Sequence, residues 1–250
     1  SYSAGDYAVV SSPHITTWSN TPGSSEDAFI DATLSSSPSN SVYISGPAGP
    51  GTIDLLLPFS QNYTSGTYIY SMKYYVVAGN GAYFNLQQSS IPAVGWMMEV
   101  FFDGSGNGEV NPSSLTPGFF SYSNNSWTDI MVSIDLDSDV GRLFINGSLV
   151  HSYTFSTGAL GTGTTKSWGG VNLYSFGGPS ANPTASSFFV DDIWFGTPPT
   201  ISYNWDFGDG TGSSTAQDPS YIYQTPGTYT VCLTVADSCG TDSTCQSITV

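Results

Sequence analysis

The side chains best suited to binding chemistry lie on three short segments in which polar and apolar residues alternate. Aromatic rings can stack on sugar faces, while amides and carboxylates can bond to sugar hydroxyl groups. Residues two apart on a β-strand point to the same side of the sheet. One side of the three segments therefore carries Tyr83, Asn85, Gln87, Glu99, Phe101, Asn172 and Tyr174. This pattern predicts a carbohydrate-binding, solvent-facing sheet surface; a polar outer face, or one covered by loops or a neighbouring domain, is the alternative.

Aspartates form three groups that could bind Ca²⁺, which prefers carboxylate and carbonyl oxygens. They are Asp135, Asp137 and Asp139 in one predicted turn, Asp191 and Asp192 in a late strand, and Asp206 and Asp209 around a glycine turn. The first group departs from an EF-hand loop, because Val140 and Asn146 stand where that loop has Gly and Glu. Solvated acids at a hairpin tip, or Asx turns that cap local N–H groups, are the alternative explanation. Ca²⁺ is the cofactor that these acids suggest.

The glutamates and histidines do not form a recognisable hydrolytic site. A retaining glycosidase needs two carboxyl groups about 5–5.5 Å apart. Glu99 and Asp103 share a strand face but would be separated by about 13 Å along it. His14 and His151 have no nucleophilic partner in a known motif such as Gly-x-Ser-x-Gly. We therefore expect no catalytic residues and no enzyme activity.

The overall charge limits the partners of this chain. It has 250 residues, with 19 acidic and 3 basic side chains and a formal net charge of −16. Such a chain is repelled by nucleic acid and by anionic lipid headgroups. No run approaches the roughly 20 apolar residues of a membrane span. We expect neither a nucleic-acid partner nor membrane insertion.

The elements that position these residues are predicted to be β-strands separated by turns of Gly, Pro, Ser and Asn. No segment keeps a helical period of apolar residues over three turns. The predicted strands of the first segment are 41–45, 52–57, 66–77, 82–88, 95–103, 127–135, 141–146, 148–155, 170–175 and 187–194. Short strands in this number indicate an all-β jelly-roll sandwich. Pro198 and Pro199 mark a boundary, which predicts domains of residues 1–197 and 198–250.

All three cysteines lie in the second predicted domain. A turn from Asp237 to Gly240 would place Cys232 opposite Cys245, and Cys239 with Cys245 is the competing pair. A disulfide in an oxidising compartment fits this clustering better than a metal site, because no histidine lies nearby. The odd count leaves one thiol over or its partner missing.

The second domain also carries a specific motif. Trp205 and Phe207 alternate with Asp206 in the sequence NWDFGDG (204–210), and a second alternating apolar run follows the PGTYTV sequence at 226–231. This resembles the PKD domain, an Ig-like β-sandwich of secreted and cell-surface proteins. An Ig-like sandwich has about seven strands and about 100 residues, roughly twice the length available here. The domain is therefore predicted to lack its first strands, through truncation, an omitted segment, or strands supplied by another chain.

The first domain carries a different set of landmarks. They are TTWS (16–19), GAYFNLQ (81–87), VFFD (100–103), IDLD (134–137), ING (145–147) and VDDI (190–193). In this order they resemble a concanavalin A-like (laminin-G-like) domain of secreted Bacteroidota proteins. The resemblance implies export by the type IX secretion route and a glycan cleft on the concave sheet.

These observations predict an extracellular, non-catalytic adhesion or carbohydrate-binding module of a secreted or cell-surface protein. Its expected partner is a polysaccharide or cell-surface glycan. One alternative is a structural subunit or stalk segment of a surface filament, which would bind other copies of itself or another surface protein. The other alternative is a jelly-roll glycoside hydrolase with an unrecognised site.

Overall fold

The structure is a computed structural model that describes residues 3–111, 116–157, 166–178, 184–237 and 240–250. The chain divides into two compact units, Ser1–Thr197 and Pro198–Val250. Strands dominate both units, and α1 (Ala8–Ser11) has four residues. Within the described ranges, no helix has the length and apolar character needed to cross a membrane. The all-β prediction is confirmed.

The first unit contains fourteen described strands and a 3₁₀ turn at Phe155–Thr157. In chain order the strands are β1 (Thr16–Thr17), β2 (Phe29–Asp31), β3 (Ser41–Gly46), β4 (Asp54–Tyr63), β5 (Thr67–Val76), β6 (Ala82–Gln87), β7 (Trp96–Phe102), β8 (Asn107–Asn111), β9 (Gly118–Ser121), β10 (Trp127–Asp135), β11 (Val140–Ile145), β12 (Ser148–Thr154), β13 (Trp168–Tyr174) and β14 (Ser186–Gly196).

These strands form two seven-stranded sheets. The front sheet has the order β1-β4-β13-β6-β7-β8-β9, and the back sheet has the order β12-β11-β10-β5-β14-β3-β2. All pairings within both sheets are antiparallel. The two sheets pack face to face around one apolar core, as the predicted jelly-roll sandwich requires.

The core follows from the alternation of side chains along each strand. On β5, Tyr70, Met72 and Tyr74 are fully buried, while the residues between them are only half-buried. Phe84 and Leu86 of β6 enter the same core from the front sheet. Each such side chain contributes about 1.5–3 kcal/mol when it leaves water. The opposite side of β6 is thereby left for polar residues.

Every strand predicted for the first unit is present, but four strands were not predicted. β1 and β2 have two and three residues, too few to show a period. β8 and β9 contain glycines, which favour turns over strands when a sequence is read alone. The ring of Phe120 packs directly on Gly108 of β8, where a Cβ atom would lie 2.0 Å from it, so a larger residue would displace this ring.

The second unit consists of one described sheet. Its strands are β15 (Ser202–Asp206), β16 (Ser213–Ser214), β17 (Thr228–Ala236) and β18 (Thr241–Thr249), in the order β16-β15-β17-β18. Phe207 is the one described apolar residue of this unit that is buried. Gly208 follows it with a φ of 77°, and a Cβ atom there would lie 2.2 Å from the Thr230 carbonyl oxygen. The close contact of this turn with β17 explains the glycine of the motif.

Candidate functional site

The front sheet brings the seven predicted ligand-binding residues onto adjacent strands. β13, β6 and β7 are neighbours, and Asn85 of β6 lies opposite both Asn172 of β13 and Glu99 of β7. Two residues before Asn85 on β6, Tyr83 lies opposite Phe101 of β7. Because directly opposed residues share a side of the sheet, the three alternating patterns meet on one surface.

Hydrogen bonds join most of these residues into one network. Asn172 donates to Asp54 Oδ1 at 2.6 Å, and Asn85 Nδ2 donates to Asn172 Oδ1 at 3.0 Å. Asn85 Nδ2 also donates to the Tyr83 hydroxyl at 3.0 Å, and that hydroxyl donates to Glu99 Oε1 at 2.9 Å. Gln87 donates to Asn85 Oδ1. We call this set, Asp54, Asn172, Asn85, Gln87, Tyr83 and Glu99, the polar network.

Asp54 was not predicted as a site residue. It opens β4, where an acid precedes a run of leucines, and this isolated carboxylate on an apolar strand was the available signal. Its partner Asn172 lies on β13, which pairs with β4. No local pattern in the sequence shows that these two strands are neighbours. The network therefore crosses four strands, β4, β13, β6 and β7.

The prediction that this surface faces solvent is wrong for most of its members. Tyr83, Asn85, Gln87, Phe101 and Asn172 are each at most 5% exposed. The reason is that the polar groups bond to one another rather than to water, while Phe176 covers part of the surface. Its ring stacks on Tyr174 at 6.2 Å and meets Tyr83 edge-on at 5.8 Å. Glu99 and Tyr174 stay half-buried and form the accessible part of the cluster.

Burial changes the acidity of the network. It raises the pKa of Asp54 to about 6, against a lowering effect of the bond from Asn172 and a raising effect of the Glu26 charge. Burial likewise raises the pKa of Glu99, and the Tyr83 hydrogen bond acts in the opposite direction. Burial and the neighbouring Glu99 charge hold the pKa of Tyr83 well above its ordinary value. The network thus contains two carboxyl groups that keep a proton at higher pH than usual.

A second carboxylate lies beside Glu99. Glu99 opposes Asn111 on β8, and Phe101 opposes Glu109, so Glu99 and Glu109 are diagonal neighbours on one side of the sheet. Diagonal neighbours have Cα atoms about 7–8 Å apart. The Glu109 charge contributes to the raised pKa of Glu99. The sequence analysis missed this pair because β8 was not predicted.

The three aspartates of the β10–β11 turn do not converge on one point. Asp135 accepts hydrogen bonds from the amides of Asp137 and Ser138, both at 3.0 Å. Asp137 accepts the Gly66 amide at 3.1 Å, while Asp139 accepts the amide and hydroxyl of Ser156. Each carboxylate therefore caps a different loop segment.

Asp191 and Asp192 also have protein partners. Asp191 Oδ2 accepts the amides of Ser36 and Ser37 at 2.7 and 3.1 Å, which ties β14 to the loop before β3. Asp192 lies 3.4 Å from Lys73 Nζ, which is also 3.6 Å from Asp129. Both aspartates line a cavity of about 540 Å³ that contains none of the seven predicted ligand-binding residues. At the wall of this cavity, both carboxylates already have protein partners.

In the second unit, Asp206 and Asp209 cap the glycine turn. Asp206 accepts the Gly208 amide at 2.8 Å. Asp209 accepts the amides of Thr211 and Gly212 and the Tyr221 hydroxyl, and these bonds, the hydroxyl first, lower its pKa to about 2. Among the described residues, no three or more His, Cys, Asp or Glu side chains form a group that could hold a metal ion.

Cys232 and Cys245 form a disulfide between the opposed strands β17 and β18. The turn that joins these strands includes a hydrogen bond from the Asp237 amide to the Gly240 carbonyl at 2.9 Å. Cys239, the alternative partner, lies outside the described residues. The disulfide links both long strands of the sheet on the side opposite Trp205 and Leu233.

Solved structures with the fold of the first unit include carbohydrate-active enzymes. The alginate lyase Aly36B is 12% identical with a TM-score of 0.52, covering 78% of this chain and 92% of that protein. A family 7 alginate lyase, A1-II′, is 10% identical with a TM-score of 0.52, covering 73% and 90%. A sialidase is 7% identical with a TM-score of 0.50, covering 78% of this chain but only 19% of that one. These identities show a shared fold alone.

The alginate lyases correct one expectation. We predicted that the chain is not an enzyme, and that prediction was wrong. Two alginate lyases have this fold, and the match to this chain covers 90% and 92% of their length. For a carboxylate pair, the sequence argument had considered only two acids on the same strand, Glu99 and Asp103. It could not see pairs that form between strands.

The second unit has relatives in sequence. Collagenase ColA of Bacillus cereus is 58% identical over 43 residues, which are 17% of this chain and 4% of the collagenase. Residues 182–250 match the PKD domain family, starting before the second unit and including residues that form β14 in the first. The C-terminal part of the chain is thus similar to PKD domains, as its NWDFGDG motif predicted.

Proposed function

We propose that the front sheet of the first unit binds a polysaccharide outside the cell. The single observation that carries this proposal is the polar network, a set of amides and carboxyl groups that crosses four strands on the outer side of a sheet. On β6 and β13 its members alternate with core residues such as Phe84, Leu86 and Leu173, which places them on the side of the sheet away from the core. The network holds the half-buried Glu99 carboxyl group at the surface, where it can bond to sugar hydroxyls, and half-buried Tyr174 supplies a ring on the same side of the sheet.

The comparisons support the ligand class and the location. Two of the fold neighbours are named as alginate lyases and one as a sialidase, and these names refer to carbohydrates. The match to the PKD domain supports an extracellular or cell-surface location. Export by a type IX route from a Bacteroidota cell stays a prediction from the resemblance of the sequence.

The test is binding of the full chain to a panel of soluble polysaccharides, measured by affinity electrophoresis and calorimetry. Tyr174→Ala should weaken binding by about tenfold, as expected when one stacking ring is lost. Trp194→Ala is the matched control, since Trp194 is an exposed aromatic residue of the back sheet. Equal loss in both variants, or no retention of any polysaccharide, would contradict the proposal.

Cleavage of the bound glycan is the second candidate function. The observation that favours it is the diagonal pair Glu99 and Glu109, of which Glu99 has a raised pKa. A glycosidase uses a protonated carboxyl group as acid and a second carboxylate as nucleophile or base, about 5–9.5 Å away. Release of reducing ends from the same panel distinguishes cleavage from binding alone.

Association between copies is a third candidate, carried by the second unit. Trp205, Val231 and Leu233 lie on one side of its sheet and line a cavity of about 380 Å³ with Tyr223 and Ile248. A sheet needs a second layer to cover its apolar side, and another copy of this chain could supply one. Light scattering of the full chain should then show oligomers that Leu233→Glu converts to monomers. A monomer at all concentrations would exclude this function.

Calcium binding at the aspartate clusters is also part of the proposal. Their carboxylates already accept protein hydrogen bonds, so we expect weak sites with a Kd of about 10⁻⁴–10⁻³ M, the range of extracellular modules. Calorimetric titration with CaCl₂ tests this, with Asp135→Asn and Asp206→Asn locating the sites. Titration heat that matches buffer alone would exclude calcium as a cofactor.

A further inference from the structure

The cavity of about 540 Å³ in the first unit lies between the two sheets and contains no residue of the polar network. Its walls come from both sheets: Leu57 and Phe59 belong to β4 of the front sheet, whereas Val42 and Val190 belong to β3 and β14 of the back sheet. Ser60 also lines it and is exposed, so the cavity is open to solvent. We call it the inter-sheet cavity.

The inter-sheet cavity is large for the interior of a sandwich. Protein interiors are close-packed and contain few voids larger than a water molecule. Sites for small molecules, by contrast, have volumes of about 300–1,000 Å³ and mainly apolar walls. Most residues that line this cavity are apolar, among them Ile15, Val42, Leu57, Phe59, Ile193 and Phe195. Its size and its walls therefore fit a small molecule with an apolar body.

A β-bulge in β14 keeps this wall apolar. Between Asp191 and Trp194, two residues of β14 stand against one residue of β5. The extra residue reverses the alternation of side chains, so that Ile193 and Phe195 line the cavity together with Val190. In an unbroken strand, Trp194 would share the side of Val190 and the two apolar residues would point away. Bulges of this kind are over-represented next to functional sites.

The bulge also holds two carboxylates at the cavity, and both already have partners. Asp191 accepts the amides of Ser36, Ser37 and Asp192, and Asp192 lies 3.4 Å from Lys73 Nζ. Asp192 has a φ of 51°, a strained conformation that clusters at ligand sites. Among the described residues that line the cavity, none is Lys or Arg. A cationic ligand would find both carboxylates engaged, and an anionic ligand would meet their charge without a base to bind.

We propose that the inter-sheet cavity binds a small uncharged molecule with an apolar body and one polar end, such as a long-chain alcohol. The apolar body lies between the sheets, where each CH₂ group that leaves water favours binding. The polar end stays at the exposed rim, where Ser60 and His14 can bond to it. This site is separate from the polysaccharide surface and does not depend on the proposed function.

The experiment uses the full chain and N-phenylnaphthylamine, an uncharged dye whose fluorescence increases in apolar surroundings. Octanol, octanoate and octyltrimethylammonium have the same alkyl chain and compete for the dye with head groups of different charge. Octanol should displace the dye at a concentration about tenfold lower than either ion, because burial of an unpaired charge is unfavourable. Each methylene added to the alcohol should tighten binding about fourfold. Either ion competing as well as octanol would overturn the proposal.

A variant that fills the cavity tests the location. Val42→Trp should weaken dye binding by about tenfold, because the indole occupies volume that the dye needs. Val150→Trp is the matched control, since Val150 is also half-buried and packs against the core but does not line the cavity. Leu233→Glu controls for dye on the apolar side of the second unit. Equal loss in both tryptophan variants, or loss in Leu233→Glu alone, would contradict the proposal.

A second variant tests the same site without changing the core, should Val42→Trp fail to fold in a thermal melt. Ser60 is exposed, and Ser60→Lys adds the base that the cavity lacks. Octanoate should then bind about tenfold tighter, the effect of one charge-assisted hydrogen bond. Gln61→Lys, at the next exposed position of β4, should leave octanoate binding unchanged. The same octanoate affinity in both lysine variants would count against the site.

Discussion

Asn172 donates a 2.6 Å hydrogen bond to Asp54, although the two residues are 118 positions apart in the sequence. The bond joins neighbouring strands of the front sheet and supplies a hydrogen-bond donor to a carboxyl group whose pKa is raised by burial. It also orients the Asn172 amide, and through it the amides of Asn85 and Gln87. The chemistry of the candidate site is thus coupled to the packing of β4 on β13.

Removal of this donor should destabilise the first unit. Asn172→Ala leaves Asp54 and Asn85 without their shared partner at a buried position, which costs about 1–3 kcal/mol of the free energy of unfolding. Chemical denaturation of the first unit measures this loss, with exposed Gln61→Ala as control. An equal free energy of unfolding for both variants would show that the bond contributes nothing to stability.

The stability of the first unit should depend on Asp54 between pH 4 and 7. Its pKa is raised from 3.8 to about 6 by burial, so the unfolded chain loses this proton at lower pH than the folded chain does. The contribution is fully present below pH 4 and is lost as pH rises through about 6. The loss is at most about 3 kcal/mol. Asp54→Asn should flatten the dependence of the free energy of unfolding on pH in this range. The measurement is chemical denaturation of both proteins at pH 4, 5, 6 and 7. The same change in the free energy of unfolding with pH in both proteins would contradict the prediction.

Glu99 should separate cleavage from binding. If the pair with Glu109 hydrolyses the glycan, Glu99→Gln removes the proton donor and should slow cleavage by about 10²–10⁴-fold. Binding should change by less than about threefold, because Gln keeps an oxygen that can accept from Tyr83. Reducing-end release and calorimetry provide the two readouts. Cleavage that is unaffected in Glu99→Gln would remove this residue from the reaction, and Asp129→Asn on the back sheet is the control.

The disulfide should hold the second unit together. Cys232 and Cys245 are 13 positions apart, and a crosslink of about this loop size stabilises a fold by about 3 kcal/mol. Among the described residues of this unit, only one apolar residue is buried, so apolar burial contributes little to its stability and the disulfide contributes a large share. In scanning calorimetry, the double variant Cys232→Ser/Cys245→Ser should lower the transition of the second unit and leave that of the first unchanged. A shift of both transitions would argue against this assignment.

Asp209 should give the second unit the opposite pH dependence. Its pKa is lowered to about 2 by bonds from the Tyr221 hydroxyl and the amides of Thr211 and Gly212. The stabilisation is present above about pH 4 and is lost as pH falls toward 2. Asp209→Asn should therefore lower the Tm of the second unit at pH 7 but not at pH 2. A Tm difference that is the same at both pH values would mean that the charge of Asp209 is not responsible.

Local patterns were sufficient for much of this protein. Alternation of Tyr83, Asn85 and Gln87 with Phe84 and Leu86 predicts a strand and its two sides, because the side-chain period of a strand is two. The same reasoning predicted the all-β class and ten of the fourteen described strands of the first unit. The NWDFGDG motif predicted the similarity to PKD domains. In the structure, Gly208 of this motif has a φ of 77°, and a Cβ atom there would lie 2.2 Å from the Thr230 carbonyl oxygen.

Tertiary structure alone decided the rest. Parity says which residues share a side of a strand, but strand order and register decide which strands are neighbours. Those long-range choices placed Asp54 beside Asn172 and Glu109 diagonal to Glu99. Burial also depends on what covers a sheet, so the contact of Phe176 with Tyr83 and Tyr174 could not be predicted from alternation. A strand's own sequence carries its period, whereas its neighbours depend on the free energy of the whole sandwich.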